Sequence, residues 1–232
     1  MSGLLSLNWQ LFEDLNQHAS KSSLLGHVMI LGAQDVIFVL PLLLLALWFA
    51  MARWSPLAKN EVVAGNGMGK QSVGSARMVA QQLALMTAVA VVVALVANQV
   101  AARLFPEQRP FITHPSQVLP HQLIAHPADQ SFPSDHETVA SAIAIMLIVV
   151  AVWLRAAFAR LRRLALLLAV LAVVCALYIG VARVYVGVHY PGDILGGGVC
   201  GAIGAAVAVW LRRYVAPLLS PIVGLAERLK LA

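Results

Sequence analysis

Late in the chain, the segment Ala182-Arg183-Val184-Tyr185-Val186-Gly187-Val188-His189-Tyr190-Pro191-Gly192-Asp193 spaces an Arg, a His and an Asp as R-x5-H-x3-D, just past a run of some twenty mostly apolar residues. Ionisable groups at a membrane boundary cost free energy and mark functional candidates. These three residue types suit phosphate chemistry. A forked guanidinium binds phosphate oxygens, a neutral imidazole can attack phosphorus, and a carboxylate can orient the imidazole. Two more polar clusters interrupt the apolar sequence: Arg103-Leu104-Phe105-Pro106-Glu107-Gln108-Arg109-Pro110-Phe111 and Phe132-Pro133-Ser134-Asp135-His136-Glu137-Thr138.

Hydrolysis of a phosphate ester or anhydride needs positive donors on the phosphate oxygens, an in-line nucleophile and an acid for the leaving group. Arg109 and Arg183 supply the donors, with Arg103 a further candidate. Ser134, Asp135 and the backbone N–H groups beside them open a predicted helix, whose N-terminus favours anions. His189 is the candidate nucleophile and Asp193 its hydrogen-bond acceptor. His136 can protonate the leaving oxygen and then activate water. The scheme requires no metal or other cofactor, and these residues form no convincing metal-ligand set.

Each residue also has a structural explanation. Ser134 and Glu137 form S-x-x-E, a capping box. Pro191-Gly192 reads as a turn with Asp193 as an N-cap, and Arg183 as a snorkelling arginine. Arg109 has Glu107 or Asp129 as a salt-bridge partner. His114, His121 and His126 are irregularly spaced and read as solvated or headgroup-facing loop histidines. Asp35 and Gln34 interrupt the first span and read as helix–helix hydrogen-bonding groups.

The elements that must position these clusters are membrane helices. The chain has 232 residues, 60% apolar and 11% charged, with a net charge of +6. That composition excludes an ordinary soluble domain and suits a single membrane-embedded domain over residues 1–232. No basic arm or nucleic-acid motif is present. Cys175 and Cys200 lie in apolar runs and read as small buried hydrophobes. No Lys or Arg precedes the first apolar stretch, so no cleavable signal peptide is expected.

Five stretches, approximately 24–52, 77–102, 136–154, 164–188 and 194–213, are long enough to span a bilayer, which needs about 20 residues. Leu4, Leu7, Leu11 and Leu15, with Trp9 and Phe12, recur at helical steps and predict an N-terminal interfacial helix. The tail from Val215 to Ala232 is a candidate for a second. Gly65-Asn66-Gly67-Met68-Gly69-Lys70-Gln71 superficially resembles a nucleotide-binding loop, but its spacing and its Gln71 fail, and it reads as a linker. Gly192, Gly196, Gly197, Gly201 and Gly204 predict close helix packing in the last span.

Twelve of the 16 Lys and Arg fall in the alternate loops and the C-terminal tail, against four (Lys21, Arg103, Arg109 and Arg183) on the opposite side. The positive-inside rule then puts the C-terminus in the cytoplasm and the three polar clusters together on the outer face.

In this order the clusters resemble the three signature motifs of the PAP2 superfamily of membrane lipid phosphatases, K-x6-R-P, P-S-x-H and S-R-x5-H-x3-D. Pro133, Ser134 and His136 meet the second motif. Arg183, His189 and Asp193 meet the third, with Ala182 in place of the usual Ser. The first is met only at Arg109-Pro110, because Ala102 stands where Lys is expected and Arg103 lies one residue on. The wording Pro-Ser-Asp-His and Val-Tyr-Val-Gly-Val-His-Tyr-Pro-Gly-Asp, with the opening Leu-Phe-Glu-Asp-Leu-Asn-Gln-His-Ala, is similar to the bacitracin-resistance type of undecaprenyl-diphosphatase.

The resemblance implies an all-α bundle of about five transmembrane helices in the plasma (inner) membrane. It implies hydrolysis of a polyprenyl diphosphate through a phosphohistidine, within a milieu of membrane lipids. Phosphatidylglycerophosphate, phosphatidate and lipid A are the alternative substrates. A non-enzymatic lipid-binding or transport protein is the alternative of another class.

Overall fold

A computed structural model describes residues 2–62, 69–154 and 159–229. Nine α-helices make up the described chain: α1 (Ser2–Asn16), α2 (Leu24–Gln34), α3 (Val39–Val62), α4 (Gly69–Leu104), α5 (Pro110–Thr113), α6 (Pro115–Val118), α7 (Asp135–Trp153), α8 (Ala159–Tyr185) and α9 (Pro191–Arg228). No strand occurs among the described residues. Residues 65–68 of the expected linker, with Arg155 and Lys230 of the charge count, lie outside the described residues. Gly69, Lys70 and Gln71 already belong to α4.

Among the described residues, four helices are long and apolar enough to cross a membrane: Gln81–Leu104, Asp135–Trp153, Ala159–Tyr185 and Pro191–Val215. The predicted first span is a broken one. Leu24–Gln34 and Val36–Met51 meet at 46°, joined by a short 3-10 turn at Val36–Phe38. Asp35 ends α2, and both Gln34 and Asp35 are exposed, so the expected helix–helix bonding is not how these two residues are used. The 3-10 turn cannot continue the α-helical ladder, which leaves the last carbonyls of α2 in need of other partners.

The bundle is centred on α4, α7 and α9, which pack on one another, with α8 against α7, α3 against α4 and α8, and α2 against α8. Small residues make this possible. A Cβ added at Gly204 would lie 2.3 Å from the Ala90 carbonyl oxygen of α4, and one at Gly201 2.8 Å from the Ala142 backbone nitrogen of α7. The glycine stripe of the last span is therefore where α9 meets both neighbours, backbone against backbone.

The C-terminal tail is not a separate interfacial helix. α9 runs through Pro217 and Pro221 to Arg228. The two prolines lie four residues apart, so the lost hydrogen bonds fall on one flank of the helix. The segment is also tied to α4, where Gln82 donates to Ser220 at 3.2 Å, and Val223 is fully buried. Cys175 and Cys200 are free and buried.

Substitution of Gly204 by Leu forces side-chain atoms into backbone and is expected to destabilise the protein by about 1–3 kcal/mol or more. Gly198→Ala, where the nearest atom is 3.7 Å away, should leave the thermal midpoint of the detergent-purified protein unchanged. Equal midpoints for the two variants would contradict this packing.

Candidate active site

The R-x5-H-x3-D segment forms the end of α8, a tight turn and the start of α9. Val186 N–H donates to the Ala182 carbonyl, and Gly187, at φ +87°, takes the left-handed conformation that ends many helices. Pro191, which has no N–H to lose, opens α9. Asp193, in the first turn of α9, reaches back over the turn. Its Oδ2 accepts from the Tyr190 N–H at 2.8 Å and from His189 Nδ1 at 3.2 Å. It also accepts from the Ser131 hydroxyl. Asp193 and Ser131 are fully buried and His189 is 1% exposed.

These contacts set the tautomer of His189. Nδ1 faces a carboxylate and carries the proton. Nε2 faces Arg109 Nη1 at 3.2 Å and Arg183 Nη2 at 3.0 Å. Guanidinium groups only donate, so Nε2 holds a lone pair. Burial pushes the His189 pKa well below the ordinary value, and the charges of Arg183 and Arg109 lower it further.

The two arginines are held by backbone. Arg109 Nη1 donates to the Val188 carbonyl at 2.9 Å, and its Nε to Asp129 Oδ1 at 2.6 Å. Arg183 Nη1 donates to the Ala33 carbonyl at 3.3 Å. That carbonyl lies in the last turn of α2, where the break in the first span frees it. The end of a broken helix thus accepts one N–H of this buried cation, whose Nε has no hydrogen-bond partner among the described residues.

The start of α7 closes the site. Asn98 of α4 donates to the Pro133 carbonyl at 3.2 Å and to Thr138 Oγ1 at 2.9 Å, and the Ser134 N–H donates to the Asp193 carbonyl at 3.0 Å. The expected capping box does not form. Ser134 makes no side-chain cap; its hydroxyl is buried without a partner among the described residues. Glu137 instead turns into the helix packing, accepting from Ser141 at 2.7 Å.

A cleft of about 380 Å³ gathers His189, His136, Arg183, Arg109, Arg103 and Asp135. Asp193 lies behind His189. Ser134 is fully buried, and Asp135 and Arg103 are exposed. Ala102 lines the cleft with a methyl group, and Asn98 and Gln99, one turn back on α4, supply polar atoms to the same wall.

Ala182 does not face this cavity. It is fully buried in a cluster with Ala33, Tyr185 and Val186, and a Cβ at Gly32 of α2 would come within 2.9 Å of its methyl. A smaller side chain there lets α2 approach α8, so the residue answers to helix packing.

The sequence reading missed two residues of this neighbourhood, His126 and Ser131, and held a third, Asp129, as one of two alternatives. His126, expected in solvent, enters the cleft. Its Nε2 accepts from Arg183 Nη2 at 3.2 Å and its ring lies 6.3 Å from that of His189. Burial and then the Arg109 charge lower its pKa. Asp129 pairs with Arg109, as one structural reading had it, yet Arg109 lines the cleft as well. Burial raises the Asp129 pKa, but the Arg109 hydrogen bond and charge outweigh it and the net shift is downward. Ser131, two residues before Pro133, was not read as part of the motif. The other loop histidines are also engaged: His114 stacks on Trp9 at 3.9 Å, and His121 approaches the Ala19 carbonyl at 3.3 Å.

This cleft, on this helical frame, defines a membrane phosphatase. Residues 82–217 match the PAP2 superfamily, more than half of the chain, and the protein belongs to that family. It is 33% identical over 209 residues to YbjG of Escherichia coli, covering 89% of this chain and 84% of that one. To the undecaprenyl-diphosphatase BcrC of Bacillus subtilis it is 29% identical over 223 residues, covering 96% and 91%. A PAP2-type phosphatidylglycerolphosphate phosphatase from Bacillus subtilis shares the fold, with a TM-score of 0.57 at 18% identity over 93% of this chain and 89% of that one.

Because the folded-state pKa of His189 is depressed, its imidazole stays neutral as the pH falls through 6.5, and protonates only well below. Ring-nitrogen NMR of the histidine-labelled protein at pH 6 should show His189 as the neutral Nδ1–H tautomer. Arg183→Gln should move its titration upward, since one opposing charge is gone. A His189 titrating near 6.5 in the wild type would contradict the site geometry.

Proposed function

We propose that this protein hydrolyses a polyprenyl diphosphate, with undecaprenyl diphosphate the favoured substrate, to the monophosphate and inorganic phosphate. The observation that carries the mechanism is the lone pair of His189 Nε2 set between two guanidinium groups, with Asp193 behind the ring. The name of the Bacillus subtilis relative, an undecaprenyl-diphosphatase at 29% identity over most of the chain, supports the substrate.

In the free protein the arginines donate to Nε2. An arriving phosphate offers better acceptors, so Arg109 and Arg183 transfer their N–H bonds to its oxygens and uncover the lone pair. Nε2 then attacks the terminal phosphorus. An N–P bond forms, the P–O bond to the bridging oxygen breaks, and that oxygen takes a proton from His136. Asp193 stabilises the cationic phosphoimidazole through the Nδ1–H bond.

In the second half, His136 removes a proton from water, the hydroxide attacks phosphorus, the N–P bond breaks and phosphate leaves. Acid–base assistance of this kind contributes about 10²–10⁴-fold. Asp135 and the α7 N-terminus flank the phosphate. Arg103, exposed at the rim, is the remaining cation for the place that Ala102 leaves empty.

The single domain over residues 1–232 sits in the plasma membrane, with the cleft on the outer face and the C-terminus in the cytoplasm. Support for this orientation comes from the basic-residue asymmetry. The role is recycling of the cell-wall lipid carrier, of the bacitracin-resistance type.

Phosphate release by the purified protein should be fastest per KM with undecaprenyl diphosphate, against phosphatidate, phosphatidylglycerophosphate and lipid A, and unchanged by chelator. Cleavage of a glycerophospholipid with undecaprenyl diphosphate untouched would overturn the substrate. His189→Ala should lower kcat roughly 10³-fold or more and abolish acid-labile, base-stable labelling from terminally labelled substrate.

A further inference from the structure

The N-terminal helix is more than an interfacial anchor. Leu7, Leu11 and Leu15, at four-residue steps, form an exposed row on α1. Asn8, Phe12 and Asn16, at four-residue steps, form a row on the side that faces the protein. Each meets a different part of the 185–192 segment. Asn16, 2% exposed, donates from Nδ2 to the Tyr185 carbonyl at 2.9 Å. Phe12, 1% exposed, packs its ring edge-on against Tyr190 with centroids 5.4 Å apart. Asn8 Oδ1 accepts the Gly192 N–H at 2.8 Å.

The backbone groups that the two asparagines satisfy are unpaired by rule. Tyr185 is the last residue of α8 and its carbonyl has no helical donor. Gly192 is in the first turn of α9 and its N–H has no helical acceptor. His189 lies between these two caps. Asn16 also sits under the left-handed turn itself, its Nδ2 only 3.0 Å from where a Gly187 Cβ would be, and its second contact, to the His121 carbonyl at 3.4 Å, ties in the loop that carries His126.

We propose that Asn16 is a positioning residue for His189, holding with Asn8 the two ends of the turn so that Nε2 meets phosphorus in line. This inference rests on His189 being the nucleophile. Placement errors of about 1 Å cost on the order of 10²-fold in rate without weakening ground-state binding.

The test uses full-length protein purified in detergent with undecaprenyl diphosphate, Asn16→Leu to delete the donor while keeping the number and branching of side-chain heavy atoms, and Asn8→Ala as the milder variant should Asn16→Leu not fold. Asn16→Leu should lower kcat about 10–100-fold and Asn8→Ala about 3–10-fold, with KM within about threefold of wild type. Inhibition by orthovanadate, which mimics five-coordinate phosphorus on the nucleophile, should weaken by a factor similar to the fall in kcat.

Wild-type kcat in folded variants would overturn the proposal. So would a rise in KM alone, which marks substrate binding, or a fall in kcat with vanadate inhibition intact, which marks a lost active fraction. His189→Ala in the same assay separates the two levels. If it is fully active, the nucleophile assignment fails. If it is inactive while Asn16→Leu and Asn8→Ala are both normal, only the positioning role fails.

Discussion

Everything in this site depends on how one buried imidazole is flanked. His189 has a carboxylate on one ring nitrogen and two guanidinium groups at the other. In a low-dielectric surrounding, charges this close interact far more strongly than in water. The arginines make protonation of Nε2 unfavourable, and Asp193 fixes the proton on Nδ1. The ring is therefore kept in its nucleophilic form by the same cations that bind the substrate's oxygens. Asp129, paired with Arg109 at 2.6 Å, offsets part of the charge of the two arginines.

Holding two guanidinium groups at a membrane boundary sets conditions on the helices around them. Their donors need fixed acceptors, of which the Asp129 carboxylate is one. Backbone carbonyls serve, but only where a helix has stopped using its own. The Ala33 carbonyl is released by the break after α2, and the Val188 carbonyl by the turn after α8. The bend in the first span and the small Ala182 serve one contact, because α2 must come close enough to α8 for its last turn to touch Arg183. Gly32 and Ala182 leave the room for that approach.

The second condition is the mutual position of three segments that are far apart in sequence. α7 is joined to α4 through Asn98 and to α9 through Ser134 N–H and Ser131, while α1 spans the α8–α9 turn from outside. Helices packed through glycines at backbone distance allow little relative sliding, which suits a site whose parts come from every corner of the bundle. The loop bearing His126 and Asp129 covers the remaining side, fixed by Leu123 N–H on the Val186 carbonyl at 3.1 Å.

Residue type and spacing within a segment were enough to locate the spans, the amphipathic first helix, and the Arg183, His189 and Asp193 cluster, since helix and turn geometry relate neighbours a few residues apart. The broken first span escaped detection because Gln34 and Asp35 are only two polar residues in an apolar stretch that resumes at Val36, while the continuous α9 escaped because prolines normally mark an end. His126 and Ser131 had no legible signal for these roles, and Asp129 was legible only as one of two partners for Arg109. Their partners lie from 20 to 62 residues away, and no local rule fixes the path of a loop. The Ser134–Glu137 pair shows the converse, a local pattern overruled when burial sent Glu137 toward Ser141 instead. The sequence by itself determined which chemical groups are present and on which helix ends they sit. Only the tertiary structure decided which way those groups point, which tautomer His189 adopts and which backbone atoms hold the arginines, because those depend on contacts between segments that the chain brings together only when packed.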